Sequence, residues 1–465
     1  MISRFISDFW DQNALPSLMD FIRIPALSTA FDAKWEENGY LRQTCEHVAQ
    51  WIQPQIPDAK CEIFQEKGRT PCLFVEILSK KEVNNDTTVA FYGHFDRQPE
   101  ASGWEEGLGA WNPVIRNGKL YGRGTADDGY SVYMMIAAIV ALRHHKIEHP
   151  RCVGIFETQE ESGSKDLPYY LQKLKERFQT PTSLFVLDNH CGDYQRVWLS
   201  ASLRGVLGGT LTVKTLEHGV HSGTYSGIVP DAFGIAQALI ARLHDPVTGE
   251  IKIKACHTTI PTIRRHQLIQ ASKVLGNLVW NHSPLLSGVT TKLKNNDDIM
   301  FNMTWKPALT VIGMEGLPSI DHAANVVTKE VKFALSMRIP PNIDTELAAK
   351  SIEEALLNEP PYGAHIEWTD VSVLPGWAMT AENPKNEELI DKASQEVFGE
   401  KAVFTGQGGT IAVIADFEAT FPNSTIVLTG VLGPDSNAHA PNEALDIKYT
   451  KQLTEVVSNY LKSVL

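Results

Sequence analysis

Imidazole and carboxylate side chains gather at five places in this sequence: His94-Phe95-Asp96, Asp127-Asp128, Glu160-Glu161, Asp188, and His439 in the turn-rich loop 433–443. A neutral imidazole ligates a divalent cation, and a carboxylate behind it fixes the ring's tautomer and raises its basicity. The apolar run 89–93 ahead of His94 reads as a buried strand. Alternate residues of a strand share a side, so His94 and Asp96 face one pocket while Phe95 turns to the core. Singly, each cluster has an ordinary explanation. Asp127 would cap the apolar helix that follows it, and Glu160-Glu161 would be a solvated turn or the acidic start of the next helix. Asp188 would make an Asx-turn, and His439 would be a surface histidine. Jointly they would crowd two histidines and four or five carboxylates into one site, which like-charge repulsion forbids unless cations neutralise it. Imidazole with carboxylate suits zinc, and also manganese or cobalt. Two ions about 3.5–4 Å apart need one bridging carboxylate and about two further ligands each. Five ligands and a shared water meet that count, and one carboxylate is left over as a base.

These residues converge only if the strands that carry them are neighbours. Apparent strands at 61–64, 72–78, 89–94, 152–158 and 183–187 are interspersed with helical patterns at 7–24, 40–56, 130–142 and 166–178. That alternation predicts an α/β layer with a mainly parallel sheet. In such sheets ligands bind beyond the carboxyl ends of the strands. His94, Asp127, Glu160-Glu161 and Asp188 all stand at or just after an apparent strand end. From 197 the texture changes to half-exposed alternating strands at 205–213, 326–339 and 365–374, with helices at 231–243 and 345–357. This reads as a separate α+β unit of about 175 residues. The α/β texture then returns, with a helix at 386–398, a strand at 425–429 and a helix at 447–465. The expected organisation is an α/β domain in two parts, 1–198 and 378–465, with an α+β domain, 199–377, inserted between them. The stretch 252–306 gives no clear pattern.

Composition narrows the function. A chain of 465 residues exceeds what one core serves. Its net charge of −13 argues against binding nucleic acid. No apolar run approaches the roughly 18–20 residues that span a membrane, and the N-terminus lacks the basic start and apolar middle of a signal peptide. The six cysteines are irregularly spaced, with no Cys-x-x-Cys, which fits a reducing cytoplasm.

Several motifs, in order, match a family. Gly93-His94-Phe95-Asp96, Tyr121-Gly-Arg-Gly-Thr-Ala-Asp127-Asp128, Glu160-Glu161-Ser-Gly-Ser164, Asp188-Asn189, His221-Ser-Gly223 and His439-Ala-Pro-Asn-Glu443 resemble the carnosinase, glutamate carboxypeptidase, aminoacylase and succinyl-diaminopimelate desuccinylase family of two-metal hydrolases. Carnosinase-like dipeptidases are the branch it most resembles. The resemblance implies a catalytic domain of the zinc-exopeptidase type with an inserted lid that forms a homodimer. It implies two divalent ions per subunit, zinc first and manganese or cobalt as alternatives. Asp127 would bridge them, His94 and Asp188 would hold one, and Glu161 and His439 the other. Asp96 would orient His94, and Glu160 would be the general base. His221 would reach into the partner's active site, while Asn325, Arg338 and Thr410 would hold the substrate's carboxylate end. The implied substrates are dipeptides or short peptides, cleaved at the amide bond. Deacylation of N-acyl amino acids is the alternative activity, and a non-catalytic peptide-binding subunit the alternative class. Two departures bear on substrate preference: Asp128-Gly129-Tyr130 stands where the family has a lysine, and Val326-Val327-Thr328 where it has Val-Ile-Pro.

Overall fold

The structure is a computed structural model and describes residues 2–81, 86–281, 283–379 and 384–465. The chain divides into two compact units. The first comprises Met1–Ser200, Met379–Phe404 and Ala412–Leu465; the second comprises Ala201–Ala378 and Thr405–Ile411.

The first unit is built on a six-stranded mixed sheet. Its strands are β1 (Lys60–Phe64), β2 (Cys72–Ile77), β3 (Thr88–His94), β4 (Arg151–Glu157), β5 (Ser183–Val186) and the late strand Thr425–Leu428. The order is β1-β2-β4-β3-β5-Thr425–Leu428. β4, β3, β5 and the late strand run parallel, and β2 and β1 add an antiparallel edge. Every residue of β3 and β4 is buried, as the apolar runs of strands covered on both faces require. The helix Ser131–His144 is apolar almost all round because it touches both β3 and the helix Ile447–Ser463. Gly93 lets the start of that helix approach the sheet. A Cβ there would sit 2.1 Å from Ser131 Oγ and 2.6 Å from Asp128 Oδ2.

The second unit carries a four-stranded antiparallel sheet: β6 (Gly205–Lys214), β7 (Ala308–Glu315), β8 (Glu330–Ile339) and β9 (His365–Leu374). On β8 the residues Val331, Phe333, Leu335, Met337 and Ile339 are buried in strict alternation, the signature of a sheet covered on one face. The cover is the helices Ala232–Leu243 and Thr345–Leu357, which share a core with β6 and β8. Asp231 and Asp344 cap them, Asp231 accepting the Phe233 and Gly234 amides and Asp344 the Leu347 amide.

Several elements differ from the sequence-based expectation. The run 326–339 is not one strand: Val326–Val327 pairs with Val220–His221, while β8 begins at Glu330 and pairs with β6. The unreadable stretch 252–306 contains the helices Thr262–Leu275, Leu278–Asn281 and Asn296–Thr304. The first of these buries Arg264 and Ser272 beside Leu268 and Ala271, so its inward face is not apolar enough to mark a period. β7 gave no signal because most of it is exposed and it lies at the sheet's edge.

Candidate metal centre

β3 ends on His94, and the ladder continues one step as the Phe95 amide donates to Glu157 O at 2.8 Å. Phe95 stacks on Phe156 and meets Phe21 edge-on. His94 and Asp96 therefore emerge on the opposite side, as strand alternation requires. Glu160 and Glu161 sit on a single tight turn, Glu160–Ser162, just past β4. Asp188 lies two residues past β5. Three neighbouring parallel strands thus deliver their carboxyl-end residues to one place, where open α/β sheets bind ligands.

Asp127 lies between these groups. Its Oδ1 is 3.2 Å from His94 Nε2, and its Oδ2 is 2.9 Å from His439 Nε2. Asp188 Oδ2 is 3.8 Å from His94 Nε2, and Glu161 Oε2 is 3.2 Å from His439 Nε2. Two triads result, His94–Asp127–Asp188 and Asp127–Glu161–His439, each with its ligating atoms within 4.8 Å of one another. One carboxylate serves both triads, one oxygen to each. Asp96 does two jobs. Its main-chain carbonyl lies 3.1 Å from His94 Nδ1, and its carboxylate oxygens accept the Glu160 and Glu161 amides at 3.0 and 3.1 Å. Among the described residues no group hydrogen-bonds the Glu160 carboxylate, which leaves it free to accept a proton.

The electrostatics fit a cation pair. At about 4 Å and an effective dielectric near 20, two carboxylates repel by about 4 kcal/mol. Burial, then the Asp127 charge, raises Asp188 well above the carboxylate range. Burial, then the charges of Glu161, Asp127 and Asp96, push Glu160 up to about 8 against the pull of His94. His439 is raised to about 10 by its bonds to Asp127 and Glu161. Burial alone would lower His94, but its bonds to Asp127 and Asp96 and the charge of Asp188 lift it well above its ordinary value. The two histidines supply the positive charge that this cluster of carboxylates demands. Divalent cations held by the same nitrogens and oxygens meet that demand in full.

Other residues hold this arrangement, and the sequence assigned them no role in it. Glu443 is fully buried. Its Oε2 pairs with Arg123 Nη1 at 2.7 Å, and its Oε1 accepts the amides of Gly124, Ala126 and Asp127 at 2.9–3.3 Å. The loop leading to Asp127 is thus wrapped around one carboxylate. Asp128 Oδ2 accepts the His94 amide at 3.3 Å, and Gln98 Nε2 donates to Glu161 Oε2 at 2.6 Å. Gln98 continues the alternation His94, Asp96, Gln98, a signal present in the sequence. Glu443 has no such local signal, because its partners lie more than three hundred residues away.

The remaining expected residues lie in the second unit and form two pairs. His221 sits opposite Val326 in the short pairing with Val326–Val327, and the Ser222 amide donates to Asn325 O at 2.9 Å, so His221 and Asn325 are adjacent and exposed. Arg338 Nη1 lies 3.5 Å from Thr410 Oγ1, which itself donates to Arg204 O at 2.6 Å.

Residues 90–463 match peptidase family M20/M25/M40. The chain belongs to that family. It is 26% identical over 415 residues to a cysteinylglycine-S-conjugate dipeptidase of Corynebacterium striatum, covering 87% of this chain and 86% of that one. It is 26% identical over 403 residues to a Beta-Ala-His dipeptidase of Mus musculus, covering 84% and 78%. Among solved structures, the di-peptidase Dug1p of Saccharomyces cerevisiae superposes with a TM-score of 0.75 at 22% identity, covering 99% of this chain and 97% of that one. The resemblance drawn from the motifs and the α/β fold class are borne out.

Proposed function

We propose that this family member is a metal-dependent dipeptidase, cleaving the amide bond of dipeptides or releasing the C-terminal residue of short peptides. The observation that carries the reading is the Asp127 carboxylate, with one oxygen beside His94 and the other beside His439. The dipeptidase names of its relatives support the same substrate class. His94 and Asp188 would hold one divalent ion, Glu161 and His439 a second, and Asp127 both; zinc suits these donors, with manganese or cobalt as alternatives. When bound, such ions supply Lewis acidity, polarising a carbonyl and lowering the pKa of a shared water toward neutrality.

The chain's own residues do the rest. Glu160 takes a proton from the attacking water and returns it to the departing amine. Asp96 fixes that base by gripping the Glu160 and Glu161 amides. His221, supplied by a partner subunit in a homodimer formed through the inserted domain, donates to the oxyanion. Asn325, Arg338 and Thr410 receive the free carboxylate, Arg338 as a bidentate clamp. The six cysteines, all free, support a reducing cytoplasm as the location. No helix among the described residues is long and apolar enough to cross a membrane.

The test is a substrate panel on metal-reconstituted protein: dipeptides, short peptides, and N-acetyl and N-succinyl amino acids. The expected result is chelator-sensitive hydrolysis, fastest on dipeptides. Faster release of acetyl or succinyl groups would replace the dipeptidase reading with a deacylase.

A further inference from the structure

The second unit contains a cavity of about 580 Å³ that the proposed chemistry does not use. Its size lies within the range of pockets that hold small organic ligands, roughly 300–1,000 Å³. It is lined by the segment 248–251, the segment 291–293 and the helix Asn296–Thr304, most of which falls in the stretch whose role the sequence left open. Four cationic or basic side chains face it: Arg204, His257, Lys292 and Lys306; Glu250 is the one acid in the lining. This excess stands out in a chain whose net charge is −13.

Among the described residues, neither Lys292 nor Lys306 forms an ion pair. Lys292 Nζ lies over Gly249, only 2.7 Å from where a Cβ would sit, and Gly249 has a φ of +77°. The positive φ is what favours glycine there. His257 Nε2 is engaged by Ile251 O at 2.7 Å, which leaves Nδ1 available. Arg204 has bonds to Asn302 O, Lys306 O and Gly408 O at 3.1–3.3 Å, so it supplies charge as a fixed part of the wall. The field is felt nearby: burial, then the charges of Lys292 and Lys252, hold His244 below its ordinary value. Ile251, Leu293, Ile299 and Met303 give the wall an apolar part, beside the polar Thr248, Thr291 and Asn302.

We propose that this cavity binds a small organic carboxylate with an apolar body, its charge held between Lys292 and Lys306 and its body on Ile251, Leu293, Ile299 and Met303. The inference is independent of the hydrolytic reading, so its test is a binding measurement. Isothermal titration of the whole metal-loaded protein would use 2-naphthoate, its neutral isostere 2-naphthamide, and inorganic phosphate. The expected result is one saturable naphthoate site per chain, with 2-naphthamide and phosphate each at least ten-fold weaker. Lys292→Glu with Lys306→Glu should weaken naphthoate at least ten-fold, with thermal stability and dipeptide turnover unchanged. Met303→Trp, which fills the cavity without altering charge, should also weaken it. Naphthoate binding that survives both variants would overturn the proposal. Equal affinity for 2-naphthamide would remove the charge requirement, and equal affinity for phosphate the apolar one; either refutes the ligand class.

Discussion

At the scale of single residues, Glu160 and Asp127 are separated by what touches them. Both oxygens of Asp127 are engaged by imidazoles, one on each side. Glu160 is held through its main chain, its amide by Asp96 and its carbonyl by the Gly163 amide, while its carboxylate has no hydrogen-bond partner among the described residues. Glu160→Ala should therefore keep its metal content and lose roughly 10²- to 10⁴-fold in kcat, the usual contribution of a general base. Metal analysis beside steady-state kinetics checks this, and retained turnover would remove Glu160 from the role. Much of this was legible in the sequence. The alternation on β3 foretold that His94 and Asp96 share a side, and charge crowding foretold the need for cations. The second job of Asp96, gripping the Glu160–Ser162 turn, was not legible, because amide donors carry no residue identity.

At the scale of elements, the loop 122–127 has little regular structure and is held by a buried ion pair. Glu443 and Arg123 are both nearly inaccessible, with side-chain exposures of 0% and 2%. Glu443→Gln would leave the guanidinium buried without its counter-charge, at a cost of about 3–5 kcal/mol. It would also loosen Asp127 and weaken metal binding by roughly 10- to 100-fold. Thermal unfolding and a metal titration read the two effects separately, and an unchanged metal affinity would deny Glu443 its positioning role. The sequence placed this glutamate in a motif but could not say what it grips.

A second element-scale prediction concerns the junction between the Ser131–His144 helix and β4. His149 is 2% exposed; it accepts from Arg143 Nε at 3.0 Å through Nε2, and its Nδ1 lies 2.7 Å from Pro150 O. Burial holds it down to about 4 from an ordinary 6.5. The unfolded chain then binds the proton more readily, so stability is complete above about pH 6.5 and falls as pH drops toward 4. The full effect is about 3 kcal/mol. His149→Gln should flatten the stability profile across that window, as followed by denaturant unfolding; an unaltered slope would assign the acid sensitivity elsewhere. Element positions were largely readable because β3, β4 and β5 are short apolar runs with abrupt polar ends. The helices of 252–306 were not, since a buried Arg264 breaks the apolar period that would have announced the first of them.

At the scale of the whole molecule, the proposed homodimer makes His221 a group lent by one subunit to another. His221→Ala should lower kcat roughly 10²- to 10³-fold, as the loss of an oxyanion donor does. Mixed with an inactive Glu160→Ala chain, it should regain up to about a quarter of native activity, since half the subunit pairs would contain one complete site. No recovery after demonstrated subunit exchange would place His221 in its own chain's site or outside catalysis.

The central claim is that one carboxylate, Asp127, is shared by two cations. Anomalous scattering at the zinc edge from crystals of zinc-loaded protein tests it most directly. Two peaks are predicted, one ligated by His94 and Asp188, the other by Glu161 and His439, with Asp127 bound to both. A single peak, or two peaks that do not share Asp127, would contradict it.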